Sequence, residues 1–164
     1  MEHKQNDLFA QLDAIDSNNP PLIAAEGIIR GTTRLIRDMG FEVLEEFKLN
    51  SRRRADLAGF DRKGRCVIVE VKSSLADFQA DNKWHNYLPH CDFFYFAVDD
   101  DFPRDVLPKA EGLIIANAFQ GAVIRPADER KMNSSRRRTQ LLNFARVSAR
   151  RVAQWRDPAP RAFY

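Results

Sequence analysis

The sequence predicts an α/β protein in which helices flank a central mixed β-sheet. Apolar residues recur at helical spacing over residues 22–39, and three short strand-like segments follow at 41–49, 54–60 and 66–73. A second helix and a continuous apolar run over 92–99 complete the order helix, three strands, helix, strand. Such a run is typical of a central strand that is covered on both faces.

Residues that start and stop helices bound both predicted helices. Pro20 and Pro21 precede the first helix, and Gly40 ends it. Ser74 and Asp77 form a capping-box-like start for the second helix, which we expect to end before Pro89.

Two short strands and a long basic helix are predicted to complete the domain. Segments 112–118 and 121–126 are separated by Phe119 and Gln120, so we expect a hairpin at the sheet edge. Residues 136–155 predict the terminal helix. Its expected packing residues are Leu141, Leu142, Phe144, Ala145, Val152 and Trp155.

Composition indicates one globular domain without a membrane segment. The 164 residues, 44% of them hydrophobic and 30% charged, suffice for one buried core. We expect the domain to span 20–155, between a flexible segment 1–19 and a loose tail 156–164. No apolar run reaches the length of a membrane span and no secretory signal is visible, which predicts a cytoplasmic protein. Cys66 and Cys91 lack metal-ligand spacing and are expected to be reduced and buried.

A hairpin between the second and third strands determines which residues face each other. Asp61 and Gly64 occupy the first and fourth positions of a type I turn, as a three-residue hairpin loop with a glycine bulge requires. Asp61 then lies opposite Arg65, and the same antiparallel register places Asp56 opposite Glu70. Directly opposed residues have Cβ atoms roughly 4.5–5.5 Å apart, so the two carboxylates repel each other unless a cation compensates.

Lys72 joins these acids because strand side chains alternate between the two faces of a sheet. It lies two residues after Glu70 and shares its face, whereas the three valines of this strand point to the other face. Two carboxylates suit Mg²⁺ or Mn²⁺, with water and substrate phosphate as the remaining ligands. Asp56, Glu70 and Lys72 therefore predict a metal-dependent nuclease site with the two acids as metal ligands. The alternative is that Glu70 and Lys72 are solvated residues of a half-exposed strand.

The stretch 31–125 resembles the MmcB-like DNA-repair family, within the PD-(D/E)XK nuclease superfamily. The motifs that carry the resemblance are Arg53-Arg54-Ala55-Asp56-Leu57, Ile68-Val69-Glu70-Val71-Lys72-Ser73-Ser74, Ala76-Asp77-Phe78, Lys83-Trp84 and Phe96-Ala97-Val98. One departure is Ala55, which stands where the superfamily has a proline before the first acid. The resemblance implies a bacterial DNA-repair protein with a restriction-endonuclease-like core.

The resemblance also implies roles for three further residues. Related nucleases often bring a glutamate of the first helix to the metal, which would be Glu26 here, although a solvated flank is an equal alternative. Some superfamily branches carry a polar residue and a tyrosine four apart that face the site. Lys83 and Tyr87 match those positions, with a lysine in place of glutamine. Their alternative is a surface lysine and a packed tyrosine.

Basic residues are concentrated at the C-terminal end of the sequence. Residues 125–164 hold 11 Lys and Arg against 3 acids, whereas residues 1–124 hold 15 against 20. Since phosphate contacts supply most non-specific nucleic-acid affinity, this asymmetry predicts DNA as a partner, although a solvated helix has a similar composition. The predicted phosphate contacts are Arg137, Arg138, Arg150 and Arg151 in the terminal helix, together with Arg52, Arg53 and Arg54 before the first acid.

The residues and the resemblance together predict a Mg²⁺- or Mn²⁺-dependent DNA endonuclease of bacterial DNA repair. The alternative is a DNA-binding or partner-recruiting repair module with a nuclease fold and no cleavage activity. RNA cleavage is a distant third hypothesis, because the sequence has no aromatic-rich RNA-recognition signature. Other DNA-repair proteins are further candidate partners. The sequence leaves open the oligomeric state, the preferred DNA structure and the role of Lys72 as a proton acceptor or as a cation.

Overall fold

The computed structural model describes residues 21–158, so the predicted flexible segment 1–19 and the residues from 159 onward lie outside it. The α-helices are α1 (Pro21–Asp38), α2 (Leu75–Ala80) and α3 (Ser134–Arg156), with 3₁₀ helices at Trp84–His90 and Arg104–Val106. The strands are β1 (Phe41–Lys48), β2 (Arg54–Asp61), β3 (Cys66–Val71), β4 (Phe93–Val98), β5 (Gly112–Ala116) and β6 (Gly121–Arg125).

One mixed sheet contains the six strands in the order in which they follow along the chain. Strands β1, β2 and β3 are antiparallel, β3, β4 and β5 are parallel, and β6 returns antiparallel to β5 at the edge. The predicted α/β class, the mixed sheet and the edge hairpin are therefore confirmed. Because β3 and β4 are parallel, their carboxyl ends lie at the same edge of the sheet as the start of β2.

The hairpin between β2 and β3 has the predicted turn. The Gly64 N–H donates to the Asp61 carbonyl at 2.9 Å, and the Asp61 N–H donates to the Arg65 carbonyl at 3.1 Å. Gly64 has a φ of 73°, a left-handed conformation that glycine adopts without steric cost. The ladder from Phe60–Cys66 to Leu57–Val69 keeps the predicted register. The ladder ends one pair short of the predicted Asp56–Glu70 pair.

Two apolar layers cover the sheet. On one face, Val67, Val69 and Val71 pack with Ile28 and Ile36 of α1. On the other face, the core contains Ile68, Trp84, Phe94 and Phe96, and α3 packs against it through Leu141, Phe144 and Val147. The predicted alternation of β3 is confirmed, because the three valines lie on the α1 face. Cys66 and Cys91 are free and buried, as expected.

The predicted single helix between β3 and β4 is wrong. Ser74 caps α2 by accepting a hydrogen bond from the Asp77 N–H at 3.1 Å, as predicted, but α2 ends at Ala80. The Asp81 carboxylate accepts a hydrogen bond from the Lys83 N–H at 2.9 Å, a local turn that competes with helical bonding. The chain then continues as the 3₁₀ helix Trp84–His90, which includes Pro89.

The packing face of α3 differs from the prediction. Leu141 and Phe144 pack on the core, but Leu142, Val152 and Trp155 are 59%, 56% and 84% exposed. Leu142 follows Leu141 by one residue, which is about 100° of rotation around the helix, so it cannot share that face. The packed face also includes Gln140, which is fully buried and donates to the His90 carbonyl at 2.8 Å.

Candidate active site

Three charged side chains meet where β2 begins and β3 ends. Asp56 is half-buried, and Glu70 and Lys72 are each only 5% exposed. Lys72 Nζ lies 3.8 Å from Glu70 Oε2, so the prediction that the two share a face is confirmed. The Lys72 N–H donates to the Ala97 carbonyl at 2.9 Å, which extends the β3–β4 pairing and holds this lysine at the sheet edge.

Asp56 is anchored to β3 through its side chain. The ladder between β2 and β3 ends at Leu57–Val69, and beyond it the Val71 N–H donates to Asp56 Oδ2 at 2.8 Å. Burial raises the pKa of Asp56, and the Val71 hydrogen bond and the Lys72 charge oppose this rise. The carboxylate of Asp56 is thereby held against β3 beside Glu70.

Glu70 is a buried acid without a full set of polar partners. Within residues 21–158, its Oε1 atom has no hydrogen-bond partner. Burial, together with the negative charge of Asp56, raises the pKa of Glu70 to about 8. A group in this environment gains from a proton or from a cation, because either one removes an uncompensated buried charge.

Sequence reasoning missed Asp81, which is the direct partner of Lys72. Asp81 Oδ2 lies 2.7 Å from Lys72 Nζ, and the Asp81 side chain is 20% exposed. Burial favours the neutral amine, but the hydrogen bond and charge of Asp81 prevail and raise the pKa of Lys72. The signal in the sequence is the Asp81-Asn82 pair, since both residue types favour turns that interrupt a helix.

Tyr87 reaches the site and Lys83 is at the surface. Tyr87 is buried, and its hydroxyl donates to the Arg54 carbonyl at 2.8 Å. Burial raises the pKa of Tyr87, and the charges of Glu70 and Asp56 act in the same direction. Lys83 is exposed and contributes its backbone N–H to Asp81.

The predicted phosphate contacts Arg52, Arg53 and Arg54 flank the site. Arg52 is exposed in the tight turn after β1 and has a φ of 66°. The pKa of Asp81 is lowered against its burial mainly by the Lys72 hydrogen bond, and the charge of Arg53 acts in the same direction. Arg54 is exposed and pairs with Glu46 at 2.7 Å. Among the described residues, the ion pair of this group is the one between Arg54 and Glu46, and the phosphate contacts of all three arginines stay a prediction.

Glu26 is not brought to the two acids. It is exposed on α1, and α1 packs on the face of the sheet opposite to Glu70. Among the described residues, no three Asp, Glu, His or Cys side chains are grouped to hold a metal ion. The exposure of Glu26 fits the solvated flank that was its equal alternative, and its role at a metal stays a prediction.

The four arginines predicted in the terminal helix divide into two kinds. Arg137 donates to both carboxylate oxygens of Asp92 at 2.6 and 2.7 Å and to the Gly64 carbonyl at 2.6 Å. Asp92 is 1% exposed, so Arg137 neutralises a buried charge and is not a free phosphate contact, contrary to the prediction. Arg138 and Arg150 are exposed. Arg151 donates to the Glu46 carbonyl at 3.3 Å, next to Arg54.

Comparison with known proteins identifies the family of the chain and a similar solved structure. The family model for DNA repair protein MmcB-like matches residues 15–159. The chain belongs to the MmcB-like family. A solved structure of a protein of unknown function from Silicibacter pomeroyi is 39% identical and has a TM-score of 0.80, over 90% of this chain and 99% of that one. No curated protein is similar enough to count as a relative.

Membership of the MmcB-like family indicates a role in DNA repair and contact with DNA. Across residues 21–158, none of the helices combines the length and the apolar character that crossing a bilayer requires.

Glu70→Gln in this MmcB-like protein should change how stability depends on pH. The native pKa of Glu70, about 8, exceeds its usual value of 4.5, so the native state binds the proton more tightly. Glu70 therefore lowers the stability of the metal-free protein progressively as pH rises from 4.5 to about 8. In EDTA, we expect Glu70→Gln to have a higher melting temperature than wild type at pH 8, whereas at pH 4.5 the two proteins should melt at nearly the same temperature. Equal differences at both pH values would contradict the buried, unpaired carboxyl.

Proposed function

We propose that this protein is a Mg²⁺- or Mn²⁺-dependent DNA endonuclease of DNA repair, with the restriction-endonuclease-like core of the PD-(D/E)XK superfamily. The supporting observation is the convergence of Asp56, Glu70 and Lys72 at one sheet edge, with Glu70 and Lys72 buried. The order helix, three strands, helix, strand is consistent with that core. The single domain 20–155 and its two flanking segments belong to the same proposal.

The donor atoms at the site fit a hard divalent cation. Asp56 and Glu70 offer carboxylate oxygens, and Mg²⁺ in proteins is often held by one or two carboxylates, with water and phosphate as the other ligands. The buried Glu70 Oε1 has no hydrogen-bond partner within residues 21–158, so this oxygen is free to accept a ligand. A cation there would also remove the repulsion between the two acids that raises the pKa of Glu70.

Each residue of the proposed site would have a different role in phosphodiester hydrolysis. A bound divalent ion supplies Lewis-acid stabilisation and lowers the pKa of water. Lys72 is held as an ammonium by Asp81, so it is suited to stabilise negative charge that develops on the phosphoryl oxygens, and less suited to accept a proton. Arg52, Arg53 and Arg54 would orient the DNA backbone, and Tyr87 would fix the turn before Asp56 through the Arg54 carbonyl.

One observation favours the alternative of a DNA-binding or partner-recruiting module without cleavage. Asp56 is already bonded to the Val71 N–H and Lys72 to Asp81, so both have structural partners without any ligand. Glu70 distinguishes the two functions, because a module released from catalysis has no physical need for a buried acid with an unpaired oxygen.

Asp56→Asn, Glu70→Gln and Lys72→Ala should each reduce divalent-dependent cleavage by about 100-fold or more while the fold is kept. Their effects should not add, because the three groups act as one unit. The measurement is cleavage of single-stranded, nicked, flapped and branched DNA with Mg²⁺ or Mn²⁺. Glu42→Gln is the matched control, since this exposed carboxylate lies on β1 away from the site.

The binding-module alternative makes the opposite forecast. Wild type would then show no divalent-dependent cleavage of any DNA in the panel. In cells exposed to DNA damage, a triple variant of the three residues would also complement as well as wild type.

Replacing Arg138, Arg150 and Arg151 by Gln should weaken DNA binding similarly across sequences. Each lost contact to a duplex phosphate should flatten the slope of log affinity against log salt by about 0.9. The measurement is a salt titration of DNA affinity. An unchanged slope would assign these arginines to a solvated or partner-facing surface and move the DNA toward Arg52 and Arg53.

Arg137→Gln is the contrasting variant in the same helix. It leaves the buried Asp92 without its counter-ion, and breaking such a pair costs about 3 kcal/mol of unfolding free energy. We expect a large drop in the urea midpoint for Arg137→Gln and little change for Arg138→Gln.

A further inference from the structure

The Asp81 carboxylate is held in place by its own backbone surroundings. The Asp81 N–H donates to the Phe78 carbonyl at 3.1 Å and closes the end of α2. Asp81 Oδ1 accepts the Lys83 N–H at 2.9 Å, and Oδ2 accepts from Lys72 Nζ at 2.7 Å. Both oxygens therefore have defined partners, and the break between α2 and the 3₁₀ helix aims the second oxygen at Lys72.

Lys72 lies between two acids at unequal distances. Its Nζ atom is 2.7 Å from Asp81 Oδ2 and 3.8 Å from Glu70 Oε2. The shorter contact is a charge-assisted hydrogen bond, whereas the longer one exceeds hydrogen-bond distance. The side chain of Lys72 is 6% exposed, so the ammonium has these acids and little water as partners. Asp81 thus fixes where the positive charge lies.

We infer that Asp81 is a positioning residue that holds the Lys72 ammonium beside Glu70 but off its carboxylate, so that Glu70 stays available to a divalent cation. This inference rests on the proposed metal site and adds a residue to it. An ammonium and a divalent cation compete for the same carboxylate. Without the Asp81 charge, the flexible lysine side chain needs to move only about 1 Å to form a hydrogen bond with Glu70.

Asp81→Asn is the direct test, because the amide oxygen of Asn still accepts the Lys83 N–H and keeps the turn. We expect the Mn²⁺ affinity to fall about 10-fold or more, which is the usual cost of losing a residue that supports a metal ligand. The affinity is measured from the rise in melting temperature with Mn²⁺ concentration. Asp77→Asn is the matched control, because Asp77 is an exposed acid on α2 whose charge also acts on Asp56 and Lys72.

A double-mutant cycle separates positioning from general electrostatics. In a Lys72→Ala background there is no ammonium to compete, so adding Asp81→Asn should leave the Mn²⁺ affinity unchanged. An equal loss in both backgrounds, or an equal effect of Asp77→Asn and Asp81→Asn, overturns the role of Asp81 and leaves the proposed metal site standing. A wild-type protein whose melting temperature does not respond to Mn²⁺ overturns both.

Discussion

The repulsion between two carboxylates at the end of one hairpin is the constraint on which the candidate site depends. Asp56 lies near the start of β2 and Glu70 near the end of β3. Burial makes a negative charge on either side chain costly in free energy. Neighbouring polar groups offset only part of this cost. The Val71 N–H stabilises Asp56, and Lys72 stands near Glu70, but Lys72 bonds to Asp81 and not to Glu70. Within residues 21–158, no positive group lies at hydrogen-bond distance from Glu70, so a cation bound beside this acid would be stabilised.

The fold supplies each part of this arrangement by a separate local device. The glycine turn at Gly64 sets the register that brings the two acids together. The turn that follows the short α2 places the Asp81 carboxylate against the Lys72 ammonium. The 3₁₀ helix after this turn brings the Tyr87 hydroxyl to the Arg54 carbonyl. Arg137 of α3 forms an ion pair with the buried Asp92, which precedes β4, and this pair holds α3 in place. Lys72 is thus held by the half-buried Asp81 and Arg137 by the buried Asp92, and Lys72 has a second acid, Glu70, at 3.8 Å.

The sequence predicted the parts of this site that follow from short-range rules. Turn chemistry at Asp61 and Gly64 and the period-2 alternation of β3 are local, so they predicted the β2–β3 register and the shared face of Glu70 and Lys72. Contacts between distant segments were not predictable in the same way. The sequence has no signal that Arg137 pairs with Asp92, 45 residues away. Asp81 was missed because the helical pattern outweighed one turn-forming pair.

The central claim is that Asp56 and Glu70 bind one divalent cation between them, and a crystal of the protein grown with Mn²⁺ tests it most directly. Anomalous scattering at the manganese edge locates the ion without assumptions about activity. The account predicts one peak with carboxylate oxygens of both residues at about 2.1 Å, and Lys72 still on Asp81. It is contradicted if the peak lies elsewhere or is missing, or if Lys72 instead occupies the carboxylate of Glu70.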